Sequence, residues 1–585
     1  MTPDSIITLV VVTIMVTVMV REVIAPSIAV TTAMIVLLVT GVIDSTQALA
    51  GFSNPAPITV GALFILARAV EKTGAIQPLL AGTLASELRP RQQLVRLLFP
   101  TAAVSSAFNN TPIVAMLVPQ LVSWARRGGR SASLYLMPVS FAAILGGMVT
   151  VVGTSTNLIV SGLLEEAGMP ALGMFEMTPI GGPAAVLGVL VLVLLAPALL
   201  AAGKDPAETF DASFREYTIE VEVDPSGPLP GRSVEAAGLR ALKEAFLVRI
   251  RRDEAVLAPV APDTLLQGRD VLGFVGRADL VVDILTRRGL RSAEHKHADG
   301  FRDGSHSFYE AVVGPTSSLL GKTLAESGFR EQYGGAVLAI HRAGTSIRDR
   351  LGTIPLRAGD TLLILSDTGF RNRWRDRRDF LLVADLDGSL PVGSKRGIFV
   401  IGTAITIMTL ATLGLLSVLK GALLGAVLMV VTGTLSTNEA RNALNLEVLV
   451  IIGAAFGIGA ALEGSGLAAS LADGLVRLSS GGGTTGTVLA VVLATVALTE
   501  LITNNAAAVL MFPVAIAAAQ ATGGDPRSFA IAVALSASAS FLTPVGYQTN
   551  TMVFGPGGYR FLDYARLGGP LTIVVVTVIT LLASR

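Results

Sequence analysis

The sequence contains no cysteine and few charged, aromatic or histidine residues. Without cysteine, the chain cannot form disulfides, iron–sulfur clusters, cysteine-ligated zinc sites or a thiolate nucleophile. Charged residues make up 15% of its 585 residues, whereas about a quarter is usual for a soluble domain. The hydrophobic fraction is 51% and the mean hydropathy is +0.66. This composition predicts a polytopic protein of the lipid bilayer and argues against a soluble enzyme.

Two further scarcities narrow the class of protein. Aromatic residues amount to 5% while glycines number 61, which favours closely packed helices over an aromatic-lined barrel. The net charge is +1, so the chain lacks the basic excess expected of a nucleic-acid-binding protein. All four histidines lie between residues 295 and 341, outside the apolar regions, which argues against a histidine proton relay inside the membrane.

The charged residues are concentrated in the middle of the chain. Residues 203–397 hold 28 of the 44 Lys and Arg and 28 of the 43 Asp and Glu. Two apolar blocks of similar length flank this segment. We therefore predict four domains, namely a first transmembrane repeat (1–202), two small cytoplasmic domains (203–300 and 301–397) and a second transmembrane repeat (398–585).

The first block contains six apolar runs, most of them long enough to span a bilayer. They cover residues 5–20, 26–43, 55–81, 93–125, 134–164 and 178–200. The fourth run is interrupted by polar residues and a proline between Ser105 and Pro112, and the fifth at Gly153–Asn157. Polar, irregular backbone at membrane depth is tolerated only inside protein or beside a water-filled cavity. The sequence therefore predicts a re-entrant hairpin followed by a broken helix.

The distribution of basic residues predicts the orientation. With five crossings and one hairpin per block, the basic segments at 89–96 and 126–130 fall on the same side as the charged middle. Loops rich in Lys and Arg face the cytoplasm. We therefore expect residues 203–397 to be cytoplasmic, within a multi-pass protein of the cell membrane, and both termini to lie on the opposite side.

The second apolar block repeats the first. Phe108–Thr111 matches Ile502–Asn505, with Asn110 and Asn504 lying 394 residues apart, and Gly153–Asn157 matches Gly546–Asn550 at an interval of 393. An odd number of crossings per block would make the two copies inverted. Inverted repeats with paired, interrupted helices predict a secondary transporter whose site lies near the membrane midplane.

The interruptions carry amides, hydroxyls and freed backbone groups. Unwound carbonyls and side-chain oxygens can coordinate Na⁺, while helix N-termini and amide N–H groups can hold an anion. The alternative is that these polar residues only join helices; their occurrence in two copies favours a site. Among the acidic residues, Glu71 and Glu463 are better explained by structural pairing, and Glu500 is a candidate for binding a proton or cation.

These motifs resemble those of the divalent anion:sodium symporter family, which carries a Ser-Asn-Thr motif at each of two hairpin tips. The tips here read Asn109-Asn110-Thr111 and Thr503-Asn504-Asn505, so the flanking residue is altered once in each copy. The stretch Phe541–Asn550 resembles the sulfate-permease-like branch with large soluble insertions. The resemblance implies an elevator-type homodimer.

The resemblance also implies site residues. One Na⁺ site would use Ser105, Asn109, Asn110 and Gly153, and a second would use Thr499, the Ile502 carbonyl, Asn504 and Gly546. The substrate would contact Asn109, Asn110, Thr111, Thr154, Thr503, Asn504, Asn505 and Tyr547. No organic cofactor is expected.

The charged middle contains its own repeat. Strands are predicted at Phe246–Ile250 and Val271–Val275, and again at Ala336–Ile340 and Thr361–Leu365, with one helical stretch in each copy. Both copies resemble the C-terminal domain of potassium-conductance regulators (RCK-C, or TrkA-C-like), a small α+β module. This implies either a sensor for a small-molecule regulator or a dimerisation element.

The predicted function is sodium-coupled import of a small divalent anion, most simply sulfate. The alternatives are a carrier of dicarboxylates or other anions, including one driven by protons through Glu500, and an ion channel regulated by the RCK-C-like domains. The sequence lacks the Thr-Val-Gly-Tyr-Gly filter of potassium channels. It also lacks a Ser/His or metal-ligand histidine constellation for catalysis.

Overall fold

The computed structural model forms two compact units, Met1–Ala202 with Leu390–Arg585, and Gly203–Ser389. The structure describes residues 2–21, 24–75, 88–127, 130–200, 217–239, 245–252, 255–257, 260–261, 263–276, 289–292, 306–314, 317–342, 345–346, 354–367, 369–374, 379–385, 395–479, 482–544 and 546–585. The first unit is helical, and the second is built mainly from strands.

Nine described helices precede the charged segment. They are α1 (Pro3–Val20), α2 (Pro26–Val39), α3 (Ser45–Ser53), α4 (Pro55–Thr73), α5 (Pro90–Ser105), α6 (Asn110–Arg127), α7 (Ser133–Gly147), α8 (Ser155–Glu166) and α9 (Thr178–Leu199). Proline at the first or second position begins α1, α2, α4 and α5, where its missing N–H would have no helical partner.

The short helices α10 (Phe329–Tyr333) and α11 (Phe370–Trp374) belong to the second unit, and ten more described helices follow it. They are α12 (Lys395–Thr412), α13 (Val418–Val431), α14 (Thr437–Ala443), α15 (Leu446–Gly464), α16 (Leu467–Leu478), α17 (Gly483–Thr499), α18 (Asn504–Thr522), α19 (Pro526–Ser538), α20 (Gln548–Phe554) and α21 (Phe561–Ala583).

The helices of the two blocks follow the same order at a nearly constant interval, with α1–α4 corresponding to α12–α15 and α5–α9 to α17–α21. Residues 76–87, which correspond to α16, lie outside the described chain. Helix contacts also recur in pairs: α5 packs on α7 as α17 does on α19, and α2 packs on α15 as α13 does on α4.

Six helical segments of the described chain are long and apolar enough to cross a membrane. They are Pro3–Val20, the α3–α4 pair Ser45–Thr73, Thr178–Leu199, Leu446–Gly464, Asn504–Thr522 and Phe561–Ala583. Many leucines and isoleucines are exposed on the outside of this unit, such as Ile573 at 68% and Leu194 at 55%. A surface of this kind is stable in lipid, so the predicted polytopic membrane architecture is confirmed.

The predicted interruptions in the apolar runs are present, although the first is shorter than expected. Helix α5 ends at Ser105 and α6 begins at Asn110, so the break spans only residues 106–109. Pro112 lies in the first turn of α6 because the N–H groups there need no helical acceptor. The second interruption lies between α7 and α8, over residues 148–154.

The second unit contains two five-stranded antiparallel sheets. The strands are β1 (Tyr217–Val223), β2 (Ala245–Arg252), β3 (Ala255–Leu257), β4 (Val271–Gly276), β5 (Leu290–Ser292), β6 (His306–Val313), β7 (Gly335–Arg342), β8 (Thr345–Ser346), β9 (Thr361–Asp367) and β10 (Phe380–Asp385). The sheet orders are β3-β2-β4-β1-β5 and β8-β7-β9-β6-β10, so corresponding strands occupy the same places.

The four predicted strands of this unit lie within β2, β4, β7 and β9. The register of β2 against β4 and of β7 against β9 shifts at corresponding positions, Leu247/Arg249 and Val337/Ala339. In the second copy the predicted helical stretch is represented by α10 and α11. In the first copy, the equivalent ranges 240–244 and 277–288 lie outside the described residues.

A buried ion pair recurs in the two sheets. Arg252 donates from Nε and Nη2 to the Asp270 carboxylate, both at 2.8 Å, and Arg342 donates to Asp360 in the same way at 2.7 Å. The two aspartates are 1% and 0% exposed. A buried carboxylate needs such a partner, since removing one member of a buried pair is strongly destabilising.

We therefore expect Asp360→Asn to destabilise the second sheet. The change removes the charge that Arg342 neutralises and should lower the free energy of opening by about 3 kcal/mol. Hydrogen exchange of peptides covering β6 and β9, measured by mass spectrometry on the full-length protein, would show this as faster exchange. The matched control is Asp367→Asn: its partner is Arg373 and both side chains are nearly half exposed, so a change of at most about 1 kcal/mol is expected. Equal protection in wild type and Asp360→Asn would contradict the role given to the pair.

A second ion pair joins the two halves of the helical unit. Arg527, at the start of α19, contacts Glu176 in the loop before α9 through both Nε and Nη2, and donates to the carbonyls of Pro170 and Ala171 at 2.7 and 2.9 Å. These hydrogen bonds from Arg527 hold the pKa of the Glu176 carboxyl below its usual range, although partial burial opposes them. The pair therefore ties the loop between α8 and α9 to the second block.

The lowered pKa predicts a pH dependence of stability. A carboxyl with a depressed pKa stabilises the folded state above the pKa of the unfolded chain, about 4.3, and this contribution is lost as the pH falls through the folded value. Glu176→Gln should therefore lower the melting temperature of the detergent-solubilised protein at pH 7, and the difference from wild type should shrink towards pH 3. The exposed Glu165, changed to Gln, serves as the control and should show little difference at either pH. A gap between wild type and Glu176→Gln that widens in acid would refute this account.

Candidate functional site

The first interruption places a hydroxyl and an amide side by side. We call residues 106–109, between α5 and α6, tip 1. Ser105 ends α5 with its hydroxyl 2.7 Å from the Ala143 carbonyl, and Asn110 begins α6 with its amide 2.8 Å from the Ser105 Oγ. Both side chains are fully buried. Two polar side chains are thus held in the protein interior beside a backbone carbonyl of a neighbouring helix.

The Asn110 amide faces a ring of oxygen atoms. With its Nδ2 turned towards the carbonyls of Gly153 (3.2 Å) and Ala143 (3.1 Å), its Oδ1 accepts from the Tyr547 hydroxyl at 2.6 Å. We assign this orientation because it satisfies both ends of the amide. The N–H group therefore occupies a cradle of oxygen atoms from Ser105, Ala143 and Gly153.

The corresponding interruption in the second block repeats this arrangement. We call residues 500–503, between α17 and α18, tip 2. Thr499 donates from Oγ1 to the Ala537 carbonyl at 2.6 Å, as Ser105 does to Ala143. Asn504 then begins α18, as Asn110 begins α6, and the Thr503 hydroxyl caps α18 by accepting from the Ala506 N–H. The two tips are therefore built from corresponding residues.

The broken helices are held by two asparagines. We call residues 148–154 break 1 and residues 539–547 break 2. Asn157 donates from Nδ2 to the carbonyls of Gly147 and Thr150 at 3.0 and 2.8 Å. Asn550 donates in the same way to Ser540 and Thr543 at 2.9 and 3.3 Å. Each asparagine thus satisfies carbonyls that the helix break leaves without a helical partner.

The first helical residues after each tip contact residues at the end of the break in the opposite block. At tip 1, Asn110 meets Tyr547 and the Thr111 hydroxyl lies 3.4 Å from Gln548 Oε1. At tip 2, Asn504 donates from Nδ2 to the Thr156 hydroxyl at 3.1 Å. The Asn505 Oδ1 accepts from Ser155 at 3.0 Å and from Thr156 at 3.4 Å. The structure therefore brings together most of the predicted substrate-binding residues in one polar cluster.

Glycines permit the close approach of the breaks to the tips. A Cβ at Gly153 would lie 2.6 Å from the Gly147 carbonyl oxygen, and one at Gly546 would lie 2.1 Å from Ser540 Oγ and 3.0 Å from the Thr499 carbonyl oxygen. Real Cβ atoms do not approach neighbours so closely. A side chain at either predicted glycine would therefore clash with atoms packed around the break.

Two predicted residues, Asn109 and Thr503, direct their side chains elsewhere, and the prediction for Ile502 concerns only its backbone carbonyl. Asn109 is half-buried and lines a cleft of about 40 Å³ whose walls are mainly apolar, including Leu63, Leu66 and Ile407. The Ile502 side chain is buried in tip 2, and the Thr503 hydroxyl is used in capping α18. The side chains of Asn109 and Thr503 thus lie at the edge of the polar cluster.

The structure adds residues that the sequence does not single out. The carbonyls of Ala143 and Ala537 have no recognisable sequence signal, since any residue supplies a carbonyl. Ser155, Thr156 and Gln548 carry a signal only through their place beside the repeated breaks. Glu500, which the sequence did single out as a candidate for binding a proton or cation, accepts hydrogen bonds from the Leu542 N–H and the Thr543 hydroxyl, both at 2.8 Å, and thereby joins tip 2 to break 2.

The site is polar without a fixed positive charge. Neither Lys nor Arg occurs in residues 97–125 or 478–526, and Arg477 and Arg527 lie just outside the second range. Within the described residues, no cluster of three or more His, Cys, Asp or Glu side chains could hold a metal ion. The available ligands are therefore hydroxyls, amides and backbone groups at the starts of α6, α8 and α18. Such a set can bind a hard cation through oxygen and an anion through N–H and O–H groups.

Apolar spanning helices, interrupted helices and a polar cluster shared by two blocks define a multi-pass membrane transporter. Comparison with known proteins specifies the family. The model of the citrate-transporter family matches residues 11–523 and 404–584. The chain belongs to this family, which is related to the divalent anion:sodium symporters, and the predicted family resemblance is confirmed.

Three relatives illustrate the breadth of the family. An uncharacterized transporter of Synechocystis is 35% identical over 573 residues, covering 94% of this chain and 92% of its own length. An uncharacterized transporter of Escherichia coli is 28% identical, covering 93% of both chains. Sodium/sulfate cotransporter 1 of Chlamydomonas reinhardtii is 25% identical, covering 92% of this chain and 84% of its own length.

The glycine at break 1 provides a test of the site geometry. Gly153→Ala should force break 1 away from Gly147 and disturb the oxygen cradle at Asn110, costing about 1–3 kcal/mol as expected for an overpacked interior. The melting temperature in detergent would report this loss. Gly459→Ala is the matched control, because a Cβ at this buried position in α15 meets no atom within 4 Å. An unchanged melting temperature for Gly153→Ala would show that the break is not packed as described.

Proposed function

We propose that the protein is a sodium-coupled secondary transporter that imports sulfate or a closely similar small divalent anion. The observation that carries this proposal is the paired arrangement of tips and breaks, in which oxygen cradles lie beside groups that can donate hydrogen bonds to an anion. The sodium/sulfate cotransporters among the relatives support the choice of ion and substrate. The predicted site residues fit the roles described below.

The first Na⁺ site would lie at tip 1. The Asn110 Nδ2 group donates to oxygens of Ser105, Ala143 and Gly153 at 2.8–3.2 Å, so it marks a position where a cation would find several oxygen ligands. Rotation of the amide would turn Oδ1 towards that cation. Asn109 would contribute from the tip backbone.

The second Na⁺ site would lie at the corresponding place in tip 2. Thr499, Asn504, Gly546 and the Ile502 carbonyl are the proposed ligands. The Thr499 hydroxyl lies 2.6 Å from the Ala537 carbonyl, and the backbone of Gly546 lies close to the Thr499 carbonyl. The fully buried Thr499 thus repeats the geometry of Ser105 in a water-poor setting, where oxygen ligands replace hydration.

The anion would bind between the two tips. Helices α6 and α18 begin there, and α8 begins beside them with Thr154 at its N-cap. Their positive ends and free N–H groups favour an anion without a lysine or arginine. Amide and hydroxyl groups of Asn110, Thr111, Thr154, Asn504, Asn505 and Tyr547 would complete the site, with Asn109 and Thr503 at its edge. Two bound Na⁺ ions would balance the charge of a divalent anion.

The remaining predictions follow from the repeated architecture. We infer that the two blocks are inverted repeats, that the charged unit faces the cytoplasm and that the termini lie on the opposite side. Transport would use an elevator motion in a homodimer, and the insert would act as a pair of RCK-C-like domains that regulate transport or join the subunits. The matching strand orders of the two sheets support an internal repeat in the insert.

The tip 1 hydroxyls offer a sharp test of sodium coupling. Ser105→Ala removes an oxygen from the proposed cation site and should raise the Na⁺ concentration needed for half-maximal sulfate uptake about tenfold. Uptake of radiolabelled sulfate into proteoliposomes, at a series of Na⁺ concentrations balanced with choline, measures this directly. Ser106→Ala is the matched control, since its hydroxyl is exposed and bonds to Ala103 of its own helix at 2.7 Å.

Sulfate uptake that persists undiminished in choline would overturn sodium coupling. An equal Na⁺ dependence in wild type and Ser105→Ala would overturn the assignment of tip 1 as a cation site. The family description also favours a carboxylate carrier as a second candidate. Stronger inhibition of uptake by citrate or succinate than by unlabelled sulfate would support that candidate in place of sulfate.

A further inference from the structure

We propose that Tyr547 sets the upper size limit on the anion that the site accepts, an inference that rests on the proposed function. The evidence begins with a difference between the two repeats. Thr154 and Tyr547 each precede the second part of a broken helix, with φ −145° and ψ 150° for Thr154 and φ −142° and ψ 135° for Tyr547. The backbone conformation at this position is therefore nearly the same in the two copies, whereas the side chain differs.

The phenol of Tyr547 extends from its own break to the opposite block. Its hydroxyl lies 2.6 Å from the Asn110 amide and 3.1 Å from the Thr154 Oγ1, and it also interacts with the Asn504 side chain. Tyr547 thus contacts the first residue after each tip. The residue is 7% exposed, so the ring is buried while its hydroxyl contacts groups proposed to bind the substrate.

The shorter Thr154 leaves the equivalent space to the tyrosine. Because both side chains meet at one point, the ring of Tyr547 fills volume between the tips that a second threonine would leave open. The hydroxyl fixes the position of the ring, since Asn110 and Thr154 hold it on two sides. A ring held in this way cannot readily swing aside to admit a longer ligand.

The enclosed geometry favours a compact anion. A tetrahedral oxyanion presents its oxygens around one centre and can be reached by short polar side chains from both tips. A dicarboxylate separates its two charged groups by a carbon chain, so it would need the space that the ring occupies. A steric obstacle of this kind weakens binding of the dicarboxylate and needs no additional favourable contact with the tetrahedral oxyanion.

The test copies the residue of the first repeat into the second. The readout is the ratio of two concentrations: that of succinate and that of unlabelled sulfate that each halve the uptake of radiolabelled sulfate. In Tyr547→Thr, this succinate-to-sulfate ratio should fall at least tenfold. Malonate, of intermediate length, should show a smaller change in the same direction. Tyr547→Phe keeps the ring, so the preference for sulfate over succinate should stay as in wild type while the affinity for sulfate falls about three- to tenfold.

Two further variants separate the size limit from a general loss of packing. Tyr559→Phe removes a phenolic hydroxyl that accepts from the Met137 N–H at 2.7 Å outside the site, and it should leave the succinate-to-sulfate ratio unchanged. If Tyr547→Thr does not fold, as judged by its melting temperature and gel filtration in detergent, Tyr547→Leu preserves apolar packing with a shorter side chain and should show the same relaxation.

The outcomes distinguish this inference from the function on which it rests. Suppose that wild-type uptake is driven by Na⁺ but the succinate-to-sulfate ratio is the same in wild type and in the Thr or Leu variant. This result would overturn the size limit and leave the proposed transport function standing. A wild type that accepts succinate as readily as sulfate would also overturn it. Absence of Na⁺-dependent uptake of any tested anion by the wild type would overturn the proposed function and this inference with it.

Discussion

The need to satisfy polar backbone groups at the broken helices governs the helical unit. A helix that stops inside an apolar environment leaves carbonyls and N–H groups without partners, and each unsatisfied group is costly. Asn157 donates hydrogen bonds to two carbonyls at break 1, and Asn550 does the same at break 2. With the breaks fixed in this way, helices α8 and α20 can begin beside the tips, and the polar cluster becomes possible.

The same constraint explains why the two blocks exchange partners. Tip 1 contacts break 2 through Asn110 and Tyr547, and tip 2 contacts break 1 through Asn504 and Thr156. Each interrupted helix therefore depends on polar groups from the opposite block. A displacement of one tip would alter the hydrogen bonds of the other block, so the ion and anion sites that we propose would be coupled without a separate relay.

The sequence was sufficient to predict the membrane architecture, the two interruptions and most of the residues in the polar cluster, because the unusual types at these positions recur at fixed spacing. Asn110 and Asn504 are examples. The sequence could not reveal the contact between Asn110 and Tyr547, which lie 437 residues apart in the chain, because this contact depends on how the two blocks pack. The roles of the Ala143 and Ala537 carbonyls could not be predicted either, because every residue type has a backbone carbonyl. The position of Asn109 beside an apolar cleft depends on which helices pack against tip 1, which periodicity alone does not define.

The partners of the two tips have a consequence for the order in which the chain is made. The Asn110 N–H groups find Ser105, Ala143 and Gly153 within their own block, so they can be satisfied as soon as the first block has been synthesised, while Oδ1 gains Tyr547 only from the second block. The described hydrogen bonds to the Asn505 side chain come from Ser155 and Thr156, which enter the membrane some 350 residues earlier. The first block can thus form part of its polar contacts during translation, and docking of the second block completes the contacts of both.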